Sequence, residues 1–403
     1  MKNVTIPLSD AAHREIVALA GQRNLPVEEV LRHAFEKELA ATPSGPSPPC
    51  ANVTNRDLDP SAANLIAVSD KVLQVARGEI PLPEVVELWW TNYCDFACPH
   101  CRCARFHGRH DEHLSYPVLE HLLAELSERG VKRLEISGGG EPLQHPQALQ
   151  LFERLIARGF RAGLITNGHA FVDNPALTDA VVACCDWVRI SLDAISDDVF
   201  RTVHGRPNLD YRALRTAIKG LADRARSGTA SDQRPHVGVK FIIQRPNQHQ
   251  MVAAVDEAVE LGAHYVQFKF LEDHPWSVPQ GRERLREQIL ARVRRHPPGT
   301  LDVDILPGFG GERTNGRCTM SVLHPMIDWD GEIYLCAFFS HRRTSHSVGN
   351  IARQRFFDCW GSPHHRAQLQ GVDPHQCVPN CPLLRYNPVI QFILREKFRF
   401  HYI

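Results

Sequence analysis

Between residues 82 and 272 the apolar positions keep changing period. Six segments are short and rich in Val, Ile, Leu and Phe, as strands are: "VVELWWTNYC" (85–94), "KRLEISGG" (132–139), "RAGLITNG" (161–168), "WVRISLDA" (187–194), "HVGVKFIIQ" (236–244) and "YVQFKFLE" (265–272). Between them, segments such as "YPVLEHLLAELSERG", "PQALQLFERLIARG", "DYRALRTAIKGLADRA" and "HQMVAAVDEAVELG" carry an apolar stripe at helix period. This alternation predicts an α/β fold, a parallel sheet with helices outside that curls into a full or partial barrel. Chemistry then belongs at the C-terminal ends of the strands.

The flanks read differently. Residues 1–41 suggest a strand, "NVTIPLS", and two helices, the first capped by Ser9 or Asp10 and the second opened by Pro26. Residues 42–81 form a linker whose first part, "TPSGPSPPCANVTNRDLDP", is rich in Pro, Ser and Asn; Cys50 within it reads as an incidental thiol. The core spans 82–279. Residues 280–300 read as a charged helix and a stop, and from 301 short strands, Pro-Gly turns and five cysteines mark a separate C-terminal module over 280–403.

Charge narrows the function little: Lys+Arg 46 balances Asp+Glu 46, which argues against a nucleic-acid or anionic-membrane surface. No apolar run reaches the roughly 18 residues of a membrane span. The N-terminus lacks a signal-peptide h-region, so a cytoplasmic location is expected. In that compartment the 12 cysteines suit metal ligation or burial better than disulfides.

Three of them, Cys94, Cys98 and Cys101, fall in "CDFACPHC", directly after the first strand. Zinc wants four ligands, and His100, Cys103, His107 or His110 could complete such a set. A cubane iron–sulfur cluster normally takes four thiolates; three leave one iron open to a small molecule.

"CDFACPHC" resembles the C-x3-C-x2-C signature of the radical S-adenosylmethionine (SAM) superfamily. The resemblance implies a partial (β/α)6 TIM-like barrel in which Cys94, Cys98 and Cys101 hold a 4Fe–4S cluster. The open iron chelates SAM, and one electron cleaves it to methionine and a 5′-deoxyadenosyl radical that abstracts a hydrogen atom. Further strand-end segments match in family order. Gly139, Gly140 and Glu141 in "SGGGEPL" match the segment that meets the SAM amino group. Thr166 and Asn167 in "ITNG", Ser191 and Asp193 in "ISLDA" and Arg206 in "VHGRPN" are further cofactor-binding candidates. His100 stands where the family often has an aromatic near the adenine. Lys240, Gln244, Gln267 and Lys269 are polar strand-end candidates; Cys103 reads as a non-ligand, and Cys184 and Cys185 as core thiols.

Cys318 and Cys336 flank "HPMIDWDGEIYLC", which alternates and turns at Asp330-Gly331 as a hairpin does. This resembles the SPASM extension or its shorter twitch form. With Cys377 and Cys381 in "CVPNC" it implies one auxiliary 4Fe–4S cluster, zinc being the alternative for the same four ligands; Cys359 is in reserve. The first 41 residues resemble a ribbon-helix-helix unit, so a docking or dimerising role is expected there. The resemblance implies flavodoxin or ferredoxin as electron donor. The expected substrate is a small polar intermediate, sugar-like or aminoglycoside-like, undergoing dehydrogenation, epimerisation or dehydration. The alternatives are maturation of a ribosomally made peptide and, in another class, a DNA-binding redox regulator.

Overall fold

The computed structural model describes residues 68–104, 112–227, 235–306, 318, 320–339, 346–373 and 377. The appendage expected over 1–41, Cys50, His107, His110, Cys381 and the tail from 382 lie outside the described residues. The C-terminal part of the expected linker holds a helix, α1 (Ser69–Ala76).

Strands and helices then alternate: β1 (Val86–Leu88), α2 (Tyr116–Glu128), β2 (Arg133–Ile136), α3 (Ala148–Ala157), β3 (Arg161–Thr166), α4 (Ala170–Asp173), α5 (Pro175–Cys184), β4 (Cys185–Ser191), α6 (Asp197–His204), α7 (Tyr211–Ser227), β5 (His236–Ile243), α8 (Ala254–Glu260), β6 (Tyr265–Phe270), α9 (Arg282–Val293) and β7 (Asp302–Leu306). All six expected strands are present. β7 adds a seventh to the parallel run, paired with β6. The helices form where the stripe predicts: α2 has Pro117 in its first turn and buries Leu119, Leu122, Leu123 and Leu126. Each such leucine contributes about 1.5–3 kcal/mol by leaving water.

The strands from β1 to β7 lie in sequence order and pair in parallel. Crossovers of one hand between sequential neighbours put the helices on one face. Val188, Ile190, Val237, Val239, Val266 and Phe268 are buried in one cluster with the helical leucines. Their alternating neighbours occupy the other face.

The C-terminal segment joins this same sheet. β8 (Met326–Ile327) runs parallel to β1, β9 (Glu332–Tyr334) antiparallel to β8, and β10 (Ser347–Asn350) antiparallel to β9. The β8–β9 hairpin turns at Gly331, whose φ of 83° is the left-handed value glycine adopts freely. Two short helices follow, α10 (Phe356–Cys359) and α11 (Pro363–Gly371). Trp360 beyond α10 donates to Pro81 O (3.2 Å), tying this segment back to the start of the parallel run.

Candidate active site

The loop after β1 is braced before its cysteines begin. Trp90 Nε1 donates to Pro142 O (2.8 Å), and the amides of Leu114 and Glu112 donate to Trp90 O and Asn92 Oδ1 (2.9 Å each). Cys94, Cys98 and Cys101 follow, with Cys101 close enough to act on the ionisation of Cys94 and Cys98, and Cys94 on that of Cys98. Burial pushes the Cys94 and Cys98 thiols up; Glu141 then adds to it at Cys94, and Cys101 at Cys98.

Side chains from four strand ends converge on this loop. Cys98 Sγ lies 3.1 Å from His204 Nδ1, and the other nitrogen of that ring is 3.1 Å from Leu192 O. His204 is buried, and burial pushes its pKa down to about 4. Behind it, a Cβ on Gly205 would sit 2.3 Å from Ala97 O, so only glycine lets α6 end this close to the cysteine loop. His100 Nε2 lies 3.3 Å from Asp193 Oδ2. Asp193 takes a left-handed φ of 56°, rare without glycine. It is held there by Ile242 N–H on Oδ1 and Asn247 Nδ2 on its carbonyl (2.6 Å each). Burial raises its pKa, but His100, His204 and the Ile242 N–H together outweigh that and leave it lowered.

Glu141 is fully enclosed. Its Oε1 accepts from Thr166 Oγ1 (2.6 Å) and Leu143 N–H (3.1 Å), and its Oε2 from Asn167 N–H (2.6 Å). Burial still raises its pKa to about 7 against those bonds. The glycines before it have demands of their own. A Cβ on Gly139 would meet the Trp329 ring at 2.5 Å, and one on Gly140 would meet Tyr93 O at 2.1 Å. Trp329 is in the β8–β9 turn, so the C-terminal hairpin packs onto the glycine loop. Contacts within the protein thus require both glycines, independently of any ligand they meet.

Asp95 went unnoticed in the sequence, although it lies inside the motif. It accepts from Asn167 Nδ2 (2.7 Å) and Gln144 Nε2 (3.1 Å) and pairs with His169 Nδ1 (2.7 Å). That contact raises the His169 pKa. His204, Asn247 and Trp329 were missed too: no local pattern marks a residue whose partner lies fifty or more positions away. Ser191 stands half-buried at the end of β4 on the polar face. Arg206 is exposed on the turn after α6. Gln267 is engaged by Asp304 (3.1 Å).

Cys103 packs with Trp89, Met326 and Tyr334. Cys184 and Cys185 are core thiols. Of the C-terminal set, Cys336 is buried just after β9, while Cys318 and Cys377 are half-buried against the core. Cys359 donates to Arg355 O (3.4 Å) and packs against Gly349, as a core thiol does.

The donors fit an iron–sulfur cluster and a polar nucleoside. Crowded buried thiols resist ionisation alone, and a cationic metal centre removes that penalty. Among the described residues no three His, Cys, Asp or Glu converge on a single-ion site; a cubane spreads its thiolates over separate irons and needs no such convergence. His100 Nδ1 and both polar atoms of the Gln244 amide are buried without a partner among the described residues. Asn247, bonded to both the Gln244 N–H and the Asp193 carbonyl, links them. Such groups are satisfied by water or by a ligand, and their place beside the cysteine loop suits a polar ligand.

Comparison with known proteins agrees. Residues 90–230 match the radical SAM superfamily, and residues 318–382 match the SPASM iron–sulfur cluster-binding domain. The PqqA peptide cyclase of Ruegeria pomeroyi is 24% identical over 238 residues, 57% of this chain and 60% of that protein. The GTP 3′,8-cyclase of Hydrogenovibrio crunogenus is 26% identical over 233 residues, 55% of this chain and 63% of that protein. The chain thus spans about three fifths of the length of these curated relatives. Streptococcus suis SuiB bound to its precursor peptide SuiA shares the fold, with a TM-score of 0.58 and 14% identity over 86% of this chain and 80% of that one. Native anSMEcpe with AdoMet and the Cp18Cys peptide superposes at 0.51, with 14% identity over 72% and 83%. Among the described residues no helix is long and apolar enough to cross a membrane. The cysteine loop, the strand-end network and these matches identify a radical SAM superfamily domain at residues 90–230 and a C-terminal SPASM iron–sulfur cluster-binding domain at 318–382, which imply 4Fe–4S clusters and SAM.

Proposed function

We propose that this enzyme matures a peptide, forming a bond or ring within it after hydrogen-atom abstraction. The observation that carries this reading is the company the chain keeps along its length. PqqA peptide cyclases recur among its relatives, and SuiB, solved with a precursor peptide, covers 86% of it. This favours the peptide alternative over the sugar-like substrate expected from sequence. The enzyme assignment displaces the DNA-binding regulator.

In this reading Cys94, Cys98 and Cys101 hold the SAM-binding cluster, and Cys318, Cys336, Cys377 and Cys381 hold an auxiliary one. When bound, the first cluster supplies the electron that cleaves SAM and so generates the hydrogen-abstracting radical. The chain's own residues do the rest. Asp193 orients the His100 ring beside the third cysteine. His204 contacts Cys98 Sγ from the enclosed side. Glu141, held by Thr166 and Asn167, is the carboxylate available to an ammonium. The hairpin bearing Trp329 covers the glycine loop and keeps water from it. A flavodoxin or ferredoxin serves as electron donor.

The test is anaerobic reconstitution with SAM and dithionite, first alone and then with short peptides encoded beside the gene. 5′-Deoxyadenosine should form, and one peptide should lose a pair of hydrogen atoms by mass spectrometry. Deoxyadenosine formation with turnover of a sugar and of no peptide would reverse the choice of substrate.

A further inference from the structure

Parallel strands covered on both faces read as continuous apolar runs. β4, β5 and β6 alternate instead, with Val188, Val239 and Phe268 toward the helices and Arg189, Lys240 and Gln267 on the other face. That face is curled inward. Across a flat sheet β2 and β6 would lie roughly 19 Å apart. Yet the Tyr265 hydroxyl of β6 feels both Glu135 of β2 and Arg189 of β4.

The enclosed face is layered. Toward the strand starts, two rings make a floor. A Cβ on Gly163 would lie 2.1 Å from the Trp187 ring, and one on Gly238 2.3 Å from the Tyr265 ring, so two glycines open the space these rings fill. The Arg189 guanidinium comes next, 5.8 Å from the Trp187 ring centroid. Its Nε is buried without a hydrogen-bond partner among the described residues. One step nearer the strand ends, register sets Lys240 beside Ser191.

The charges acting on the Lys240 ammonium are Arg189, which repels it, and Asp193, which attracts it. Burial first and then Arg189 push its pKa down to about 8. Asp193 already serves His100 and the Ile242 N–H. Two enclosed cations side by side repel one another, and an anion between them removes that cost.

We propose that Arg189 and Lys240 form a carboxylate-binding site on the enclosed face, one layer below the cysteine network, which takes an acidic side chain of the peptide substrate. The proposal rests on the peptide reading above. Arg189 supplies a planar fork suited to a carboxylate, backed by Trp187, and Lys240 supplies a point charge. An acidic side chain seated there anchors the peptide below the strand ends and fixes which neighbouring C–H bond faces them.

The test uses reconstituted holoenzyme with SAM present. Calorimetric titrations compare a terminally blocked short peptide bearing one Glu with its Gln counterpart, and glutarate serves as a small dicarboxylate probe. Wild type should favour the Glu peptide by about tenfold or more, the scale of a charge-assisted hydrogen bond. Arg189→Gln and Lys240→Met should each bring the two peptides close to equal affinity, with SAM affinity unchanged, and Lys240→Arg should retain the preference. Equal binding of both peptides by wild type overturns the proposal, and it needs no variant to fold. Loss of SAM affinity with the Glu preference intact also overturns it, by assigning the pair to the SAM carboxylate. Glutarate binding that depends on both residues, with neither peptide bound, keeps the site and removes the peptide reading. Peptide turnover indifferent to both substitutions does the reverse.

Discussion

The two cysteine-bearing regions are supported differently. Around Cys94, Cys98 and Cys101 the support is polar: His204 on Cys98, Asp193 on His100, and Asp95 on Asn167 and His169. Around Cys336 it is a sheet: β8 pairs with β1, β9 with β8 and β10, and Asp328, Glu332 and Asn350 bond across the turn of that hairpin. Side-chain networks orient individual groups because each bond has a direction, whereas a backbone ladder sets the position of a whole element. The first region therefore suits a centre that must hold a small ligand in one pose. The second suits one whose place is set by the sheet that carries it.

Removing one thiol from each region should break this comparison most sharply. Cys98→Ser should abolish 5′-deoxyadenosine formation and lower iron by about four atoms per chain. Cys336→Ser should also lose iron but keep SAM cleavage while losing the modified peptide. Iron analysis and chromatography of the two variants decide it; abolished cleavage in both would show that the regions do not act separately.

The contact between the regions comes next. Gly139→Ala forces a Cβ into the Trp329 ring and should cost about 1–3 kcal/mol, the usual scale of overpacking. Trp329→Ala should relieve much of that cost, so the double variant should be more stable than the two single losses summed. Strict additivity in denaturant titrations would mean that the hairpin does not rest on Gly139.

These residues also mark how far the sequence could be read. The six strands, the stripe on α2 and the turn at Gly331 depend on neighbours within a few positions, and they were legible. So was the cysteine spacing, because all its members share one loop. The partners of that loop were not. Asp193 needs its left-handed φ held by Asn247, and Cys98 meets His204 only once α6 has folded back over it. The packing role of Gly139 was hidden, since a glycine that admits a ligand and one that admits Trp329 look the same in one dimension. The seventh strand and the joining of β8 to β1 were hidden because short strands are specified by the sheet they enter rather than by their own period.

The smallest effect lies wholly within the parallel half. Glu120 on α2 accepts from Arg154 Nε of α3 (2.7 Å) and from Arg158 just beyond it. The Arg154 contact, outweighing partial burial and joined by Arg158, lowers its pKa from 4.5 to about 2. A carboxyl with a depressed folded-state pKa binds fewer protons folded than unfolded as pH falls through that window. Its contribution is therefore complete above about pH 4.5 and fades toward pH 2. Because Arg154 and Arg158 remain in contact with solvent, the clamp contributes below about 1 kcal/mol. Glu120→Gln should thus lower the melting midpoint slightly at neutral pH, and the gap to wild type should narrow below about pH 4.5 and close by about pH 2. SAM cleavage at neutral pH should be unchanged, since none of the clamp's three residues belongs to the cysteine loop or to the strand-end network around it. A gap that persists at low pH would assign the loss to packing of the side chain rather than to its charge.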